Sequence, residues 1–411
     1  MIALSLTNVS VAQFGGFRLM VFWPVLLLAI AINTTPRGGS RLPRSTVAFI
    51  LATALMMMSW VINLSAVRIT TAVYSLGWIV YWYWLTVVWG PRLAHDMERT
   101  LTRIAFIYFL AIAVSVLLSF LGWNESPLPN LLGWVLDVRS GQPRFFGPTS
   151  EPSYAALILG VTAVGILRIR LGLGLAARSR SSNLAFASIF VALMFLNSIY
   201  GFAVALLLLS AISAQAMKRS VAGILFVLGL VPLLPLVINL IADESRFGSV
   251  FALLSQFNFA ELQSVDNSAY MRFGPTIEMF QHLSPGQLEF WIGHGAGTAE
   301  AFFGDLYRNV IGEDKTTINL GFFPAFVFDH GILVSVSILV YLFSIARGPA
   351  SSYTRFLVFI ALLNCNFNTN LFWFLITVVF ATSPKVIGSH PRPARRPVYT
   401  KRLSKPVEAS L

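Results

Sequence analysis

Charge is what this sequence lacks most. Of its 411 residues only 11% are Asp, Glu, Lys or Arg, against 56% hydrophobic, and the mean hydropathy is +0.74. So few polar residues cannot cover a water-exposed surface, which excludes a soluble protein with an apolar core and a polar shell. Cysteine is almost absent too. Cys365 stands alone in an apolar stretch, so an internal disulfide is excluded and the redox compartment cannot be read from thiols. Met1 to Gln13 carry no basic residue ahead of the first apolar run, so a secretory signal is not expected and that run is read as a retained span. The five histidines, His95, His282, His294, His330 and His390, have no metal-ligand spacing, and neither a P-loop nor a G-x-S-x-G elbow is present. No metal and no cofactor are expected. The net charge of +12 comes from basic residues scattered between apolar runs, outside any aromatic-bearing soluble module, so nucleic acid is not expected as a partner.

What the chain does have is a series of apolar runs near the length, about 20 residues, that crosses a bilayer. They are Phe17 to Ile32, Thr46 to Val67, Thr71 to Trp89, Ile104 to Trp123, Tyr154 to Leu167, Leu184 to Asn197, Gly201 to Met217, Val221 to Ile241, Leu320 to Ala346, Phe356 to Phe367 and Leu371 to Thr382. The expected fold is an all-α polytopic integral membrane protein of about 11 transmembrane helices, a single domain over 1–382. With these spans, 21 of the 29 Lys and Arg fall on one side, among them Arg37, Arg99, Arg168, Lys218 and Arg355. The positive-inside rule makes that side the cytoplasm, together with the basic, proline-rich tail over 383–411, which anionic membrane lipid would hold. Two outward segments remain. Asn124 to Ser153 is one; Ala242 to Asn319, with 10 of the 17 acidic residues, is long enough for a small extracytoplasmic subdomain, with helices expected over Phe247 to Phe257 and Tyr270 to His282. The hairpin apices at Asn197–Gly201 and Asn364–Asn370 are expected to line a hydrated cavity, because their amides cannot face lipid. The aromatic run Trp78 to Trp89 is read as a lipid-facing or interfacial surface.

Chemistry is expected in the polar turn Arg144 to Ser153, where a cation, a glycine and a carboxylate fall within ten residues. Arg139, Arg144, Arg246, Arg272 and Arg308 lie in the outward segments, and the planar guanidinium suits phosphate oxygens. The glycine turn Gly293-His294-Gly295-Ala296-Gly297 would let backbone approach a ligand. Asp329 and His330, inside an apolar span, are either site residues or a buried polar pair that fixes helix packing. Other bland readings are open: Glu151-Pro152 also starts a helix, Arg144 suits headgroup anchoring, His294 suits a surface turn, and Arg272 suits pairing with Asp266 or Glu278.

The stretch Arg144-x-x-Gly147-x-x-x-Glu151-Pro152-Ser153 resembles the R-x-x-G-x-x-x-E-P-S element of Wzy-type bacterial polysaccharide polymerases, relatives of the O-antigen ligases. Arg272, Trp291-Ile292-Gly293-His294-Gly295, and Asn319 ahead of Gly331-Ile332 follow in the same order. The resemblance implies a GT-C-like membrane glycosyltransferase that polymerises undecaprenyl-pyrophosphate-linked oligosaccharide, donor and acceptor alike, at the outer face of the bacterial inner membrane. Glu151, Arg144, Arg272 and His294 would be catalytic; Arg139, Gly147, Tyr154, Tyr200, Arg246, Gly293, Gly295, Asn319, Asp329 and His330 would bind substrate. A flippase and a chain-length-control protein would be its partners. Ile318, where ligases have histidine, and Tyr200, where many members have arginine, favour polymerase over ligase. The alternatives are an O-antigen ligase and a transporter or flippase of the same lipid-linked sugars; the absence of an internal repeat argues against transport.

Overall fold

The computed structural model describes residues 1–6, 10–14, 17–32, 45–121, 137–139, 142–145, 147–149, 151–173, 180–196, 198–217, 259–265, 267–308 and 320–384, with single residues 253, 256 and 386. These are predominantly helical: α1 (Ile2–Ser5), α2 (Phe22–Ile32), α3 (Ser45–Ile62), α4 (Ile69–Trp84), α5 (Gly90–Phe120), α6 (Pro152–Gly172), α7 (Arg180–Phe195), α8 (Ile199–Met217), α9 (Phe259–Val265), α10 (Asn267–His282), α11 (Leu288–Ile292), α12 (Thr298–Leu306), α13 (Phe328–Ile345), α14 (Ser351–Asn364) and α15 (Asn370–Ala381). Short π-helical segments, Leu85–Trp89 and Phe323–Val327, lead into α5 and α13. Two antiparallel hairpins complete the described elements: β1 (Ser10–Phe14) with β2 (Phe17–Met20), and β3 (Asp137–Arg139) with β4 (Gln142–Arg144).

Membrane character follows from length and composition. Three helical stretches, Asp96–Phe120, Pro152–Gly172 and Phe323–Ile345, are long and apolar enough to cross a bilayer. Nine of the eleven expected spans fall on helices, many of them shorter than a full crossing, and the first is helical only from Phe22 because Phe17–Met20 form β2; Val221 to Ile241 lies outside the described residues. Helix α15 has 12 residues, about 18 Å at 1.5 Å per residue, against the roughly 30 Å of a hydrocarbon core. Val47, Leu51, Val61, Ile69, Val73 and Val80 of α3 and α4 point outward. An exposed apolar surface of this extent belongs against lipid.

Helix α6 is the centre of the packing. It is apolar all round, and α5, α7, α8, α14 and α15 surround it. Two of its glycines let neighbours close in: a Cβ at Gly160 would meet Val204 and Leu357, and one at Gly165 would meet Val378 and Leu101. The aromatic run of α4 departs from expectation. Trp78, Tyr81, Trp82 and Trp84 are buried, with Trp78 stacked on Trp373 at 5.3 Å and Trp82 on Phe49 at 4.0 Å. Two of the four polar ends are bonded inside, Trp82 Nε1 donating to Tyr341 Oη at 2.8 Å and Tyr81 Oη lying 2.7 Å from Thr377 Oγ1, while Trp78 and Trp84 Nε1 have no hydrogen-bond partner among the described residues. Large rings with internal hydrogen-bond partners make better core than interface.

Near the far end of α6, Arg168 is fully buried. Its Nε donates to Thr382 Oγ1 at 3.0 Å, Nη1 to the Ala346 carbonyl and Thr354 Oγ1 at 2.9 and 3.0 Å, and Nη2 to the Ile345 and Arg347 carbonyls, both at 3.1 Å. Ala346 and Thr382 cap the C-termini of α13 and α15. The cation thus replaces water at the end of α13, whose last carbonyls have no intrahelical partner, and reaches the Thr382 hydroxyl at the end of α15; helix dipoles favour positive charge there. Arg168→Ala is expected to leave those carbonyls unsatisfied and to cost about 3 kcal/mol. Arg168→Lys, which cannot reproduce five donors in one plane, should recover only part of that. Thermal unfolding in detergent measures both; an unchanged midpoint in the alanine variant would show that the cap contributes nothing.

Candidate functional site

Two polar assemblies stand beside one cavity. The first begins at Glu151, the N-cap of α6, in extended conformation ahead of Pro152. A proline at the first helical position loses no hydrogen bond and sets the entry angle. Thr149 Oγ1 donates to the Glu151 carbonyl at 2.9 Å, and Ser153 Oγ donates to Glu151 Oε2 at 3.0 Å, which fixes the carboxylate. Arg272 reaches it from α10, in the long segment between α8 and α13. Its Nη2 lies 3.3 Å from Glu151 Oε2 and 3.4 Å from Ser153 Oγ, while Nε donates to Asn364 Oδ1 at 2.7 Å. The guanidinium stands over the Tyr200 ring, with Cζ 5.1 Å from its centroid, a cation–π geometry. Tyr154, three residues beyond Glu151, feels the charges of Glu151 and Arg272. Side chains from α6, α8, α10 and α14 therefore meet at one cation, partly open to solvent: Arg272 is 18% exposed and Glu151 35%.

The second assembly is the glycine turn on a broken helix. At Gly331 α13 leaves helical geometry, with φ 76° and ψ 175°. The turn after α11 crosses it there. A Cβ on Gly293 would strike the Asp329 carbonyl and the His330 nitrogen, and one on Gly331 would strike Trp291 and Gly293 main chain. Both positions have positive φ and both need glycine. Main-chain bonds join the strips: His294 N to the Phe328 carbonyl at 3.0 Å and Gly295 N to the Asp329 carbonyl at 2.9 Å. The Asp329 carboxylate accepts from Gly297 N at 2.8 Å, Ala299 N at 2.7 Å and Thr298 Oγ1 at 3.1 Å. It caps α12 from outside, satisfying N–H groups that a helix N-terminus leaves open.

This geometry reassigns several expected site residues. Asp329 is committed to the cap, because its three donors occupy the carboxylate. His330 is buried against the rings of Trp60 and Phe326. His294 is stacked on Phe328, with centroids 4.1 Å apart and planes 6° from parallel; no described contact brings it to Glu151 or Arg272, so it does not join that pair as a base. Arg272 bonds Glu151; Asp266, one of the two other partners expected for it, lies outside the described residues. Arg308 pairs with Asp305 on the surface. Gly147 occupies the turn before Glu151, at φ 55°. Arg139 and Arg144 belong to the β3–β4 hairpin, where Asp137 faces Arg144 in register; their side chains, and Arg246 and Asn319 entirely, lie outside the described residues. Asn364 and Ser153 were not singled out from sequence. The asparagine cluster pointed to the first, and the E-P-S element contained the second.

The cavity, about 270 Å³, lies between the start of α4, the glycine turn and the Asn366–Thr369 turn, with Tyr154 forming its border toward Glu151. Among the described residues no group of three or more His, Cys, Asp or Glu side chains could hold a metal ion. The cap can be tested apart from any activity. Asp329→Ala should lower stability by at least about 2 kcal/mol. Asp329→Asn, which keeps one acceptor oxygen, should fall between it and the parent. Equal unfolding midpoints for all three would remove the capping role. No protein-family model and no curated protein matches the chain.

Proposed function

We propose that the chain is a membrane glycosyltransferase that polymerises undecaprenyl-pyrophosphate-linked oligosaccharide repeat units into exopolysaccharide or O-antigen, acting at the outer face of the bacterial inner membrane. The carrying observation is the meeting of Arg272 with Glu151, Ser153, Asn364 and Tyr200 at one partly open point. These residues span more than 200 positions of an apolar chain, and none of the arginine's four contacts is local. The R-x-x-G-x-x-x-E-P-S resemblance supports the reading, because its glutamate and serine both touch this arginine. The alternation of basic residues supports eleven spans, a cytoplasmic C-terminus and an outward-facing site; the buried, all-round apolar α6 is compatible with a GT-C-like bundle.

In the proposed reaction a hydroxyl oxygen of the incoming unit attacks the anomeric carbon of the growing chain. The bond from that carbon to the pyrophosphate oxygen breaks, and the electron pair leaves on the pyrophosphate. Arg272 stabilises the charge that develops there, with Arg144 as the second cation. When the pyrophosphate takes Arg272, Glu151 loses its partner and accepts the proton of the attacking hydroxyl. Ser153 and Asn364 hold the two groups in register while partners exchange, and Tyr200 supports the guanidinium plane. No metal is required by this scheme, since the leaving group is already a stabilised anion.

Replacement in cells tests this. Arg272→Ala and Glu151→Gln should each reduce polymer by about 100-fold or more with the protein present in the membrane at parental level. Arg272→Lys, which keeps charge but not the planar fork, should retain a small fraction. Polymer of normal length and yield from Arg272→Ala would overturn the reading. Deleting the gene separates the rivals: single repeat units left on the carrier at the outer face mark a polymerase, long polymer left on the carrier a ligase, and units facing the cytoplasm a flippase.

A further inference from the structure

The cavity beside the Glu151–Arg272 pair has chemistry of its own. Its wall at the α14–α15 turn carries Asn366 and Asn368, each with its amide oxygen already engaged. Asn366 Oδ1 accepts from Phe367 N at 2.6 Å, and Asn368 Oδ1 accepts from Ser75 Oγ at 2.9 Å. Fixing the oxygens orients both carboxamides and leaves their NH₂ groups without a described partner. The facing wall supplies the hydroxyls of Thr70 and Thr71, which make no described side-chain hydrogen bond either, and Tyr154 closes one side with an aromatic ring.

The cavity's acids are already engaged where they stand. Asp329 is held by three donors, and Glu300 pairs with Arg68 at 3.1 Å. What the cavity offers is therefore a set of neutral donors and acceptors around an aromatic edge, with no uncommitted charge among its described lining. At about 270 Å³ it falls just under the roughly 300–1,000 Å³ of small-molecule sites, room for a short saccharide and too little for a polyprenyl chain. Convergent amide N–H and hydroxyl groups suit a ligand dense in hydroxyl oxygens; an anion would find no cation to offset its desolvation.

We propose that this cavity is a subsite for an uncharged, hydroxyl-rich stretch of the repeat unit, read by Asn366, Asn368, Thr70 and Thr71, while Arg272 takes the charged part on the far side of Tyr154. The proposal rests on the glycosyl-transfer reading and assigns separate places to sugar and phosphate. It makes the α14–α15 turn, rather than the Arg144–Ser153 stretch, the element that selects the sugar.

Occupancy can be read without turnover. Cys365 is fully buried, so a cysteine placed in the cavity is the accessible thiol among the described residues. Purified Thr71→Cys protein is labelled with a charged thiol reagent, with Thr70→Cys as a second position in case the first does not fold. The probe is the lipid-free, phosphate-free oligosaccharide obtained by cutting the host's own polymer into repeat units. At millimolar probe, labelling should slow at least five-fold, in the parent background and equally with Arg272→Ala. Adding Asn366→Ala and Asn368→Ala should abolish the protection. Protection by inorganic pyrophosphate in place of the oligosaccharide, or unchanged labelling at both positions with the oligosaccharide, would overturn the proposal. The catalytic reading fails independently, if Arg272→Ala cells still make polymer; protection by the oligosaccharide would then still stand as evidence for the subsite.

Discussion

A helix that ends inside an apolar body leaves N–H and carbonyl groups that lipid cannot satisfy, and that constraint accounts for two buried charges among the described residues. Arg168 takes the carbonyls at the end of α13 and the Thr382 hydroxyl at the end of α15. Asp329 takes the N–H groups at the start of α12. The Gly293–Gly331 crossing exchanges main-chain bonds where α13 breaks. Once these duties are assigned, the buried charges that first attract attention are explained by structure. The Glu151–Arg272 pair is different. Pro152 already suits the start of α6, and no helix end requires a guanidinium from the loop. A charged pair that the backbone does not need is the stronger candidate for chemistry.

The two kinds of arginine make the contrast concrete. Arg168 is fully buried, with all three nitrogens bonded to neutral oxygens at 2.9–3.1 Å. Such a group is locked, because moving it would expose several carbonyls at once. Arg272 is partly open, and its contact with Glu151 is 3.3 Å, longer than the roughly 2.7–2.9 Å of a strong charge-assisted bond. About 25 Å of α6, at 1.5 Å per residue, separates Glu151 from Arg168. One end of the central helix is thus pinned by a buried cation, and the other carries a partly open ion pair.

The sequence was legible where pattern and physics agree. Apolar runs foretold most of the helices, and Glu151-Pro152 foretold the N-terminus of α6; that Ser153 also reaches Arg272 emerges only from the fold. It was misleading where a residue's type suggested one role and tertiary contacts assigned another. Trp78 and Trp82 read as interfacial because tryptophan favours headgroups, yet Trp373 and Phe49 bury them. Asp329 read as a site residue because intramembrane acids usually serve function; three donors from α12 and the turn before it, some thirty positions away, make it a cap. Neither outcome is visible in a linear window, since each depends on which distant backbone arrives. The surroundings of His294 were hidden for the same reason, as Phe328 meets it only where the glycine turn docks.

Docking of that turn is also what gives the cavity its walls. Gly297 and Ala299 line it because Asp329 holds their N–H groups, and Glu300 lines it one residue further on, tied to Arg68 ahead of α4. The opposite wall stands at the α14–α15 turn, where Asn364 meets Arg272 and Asn366 and Asn368 turn to the cavity. A shift of α10 that released Arg272 from Glu151 would therefore act on Asn364 at the root of the same asparagine turn. One short segment, Asn364 to Asn368, thus belongs both to the cluster around Arg272 and to the wall of the cavity.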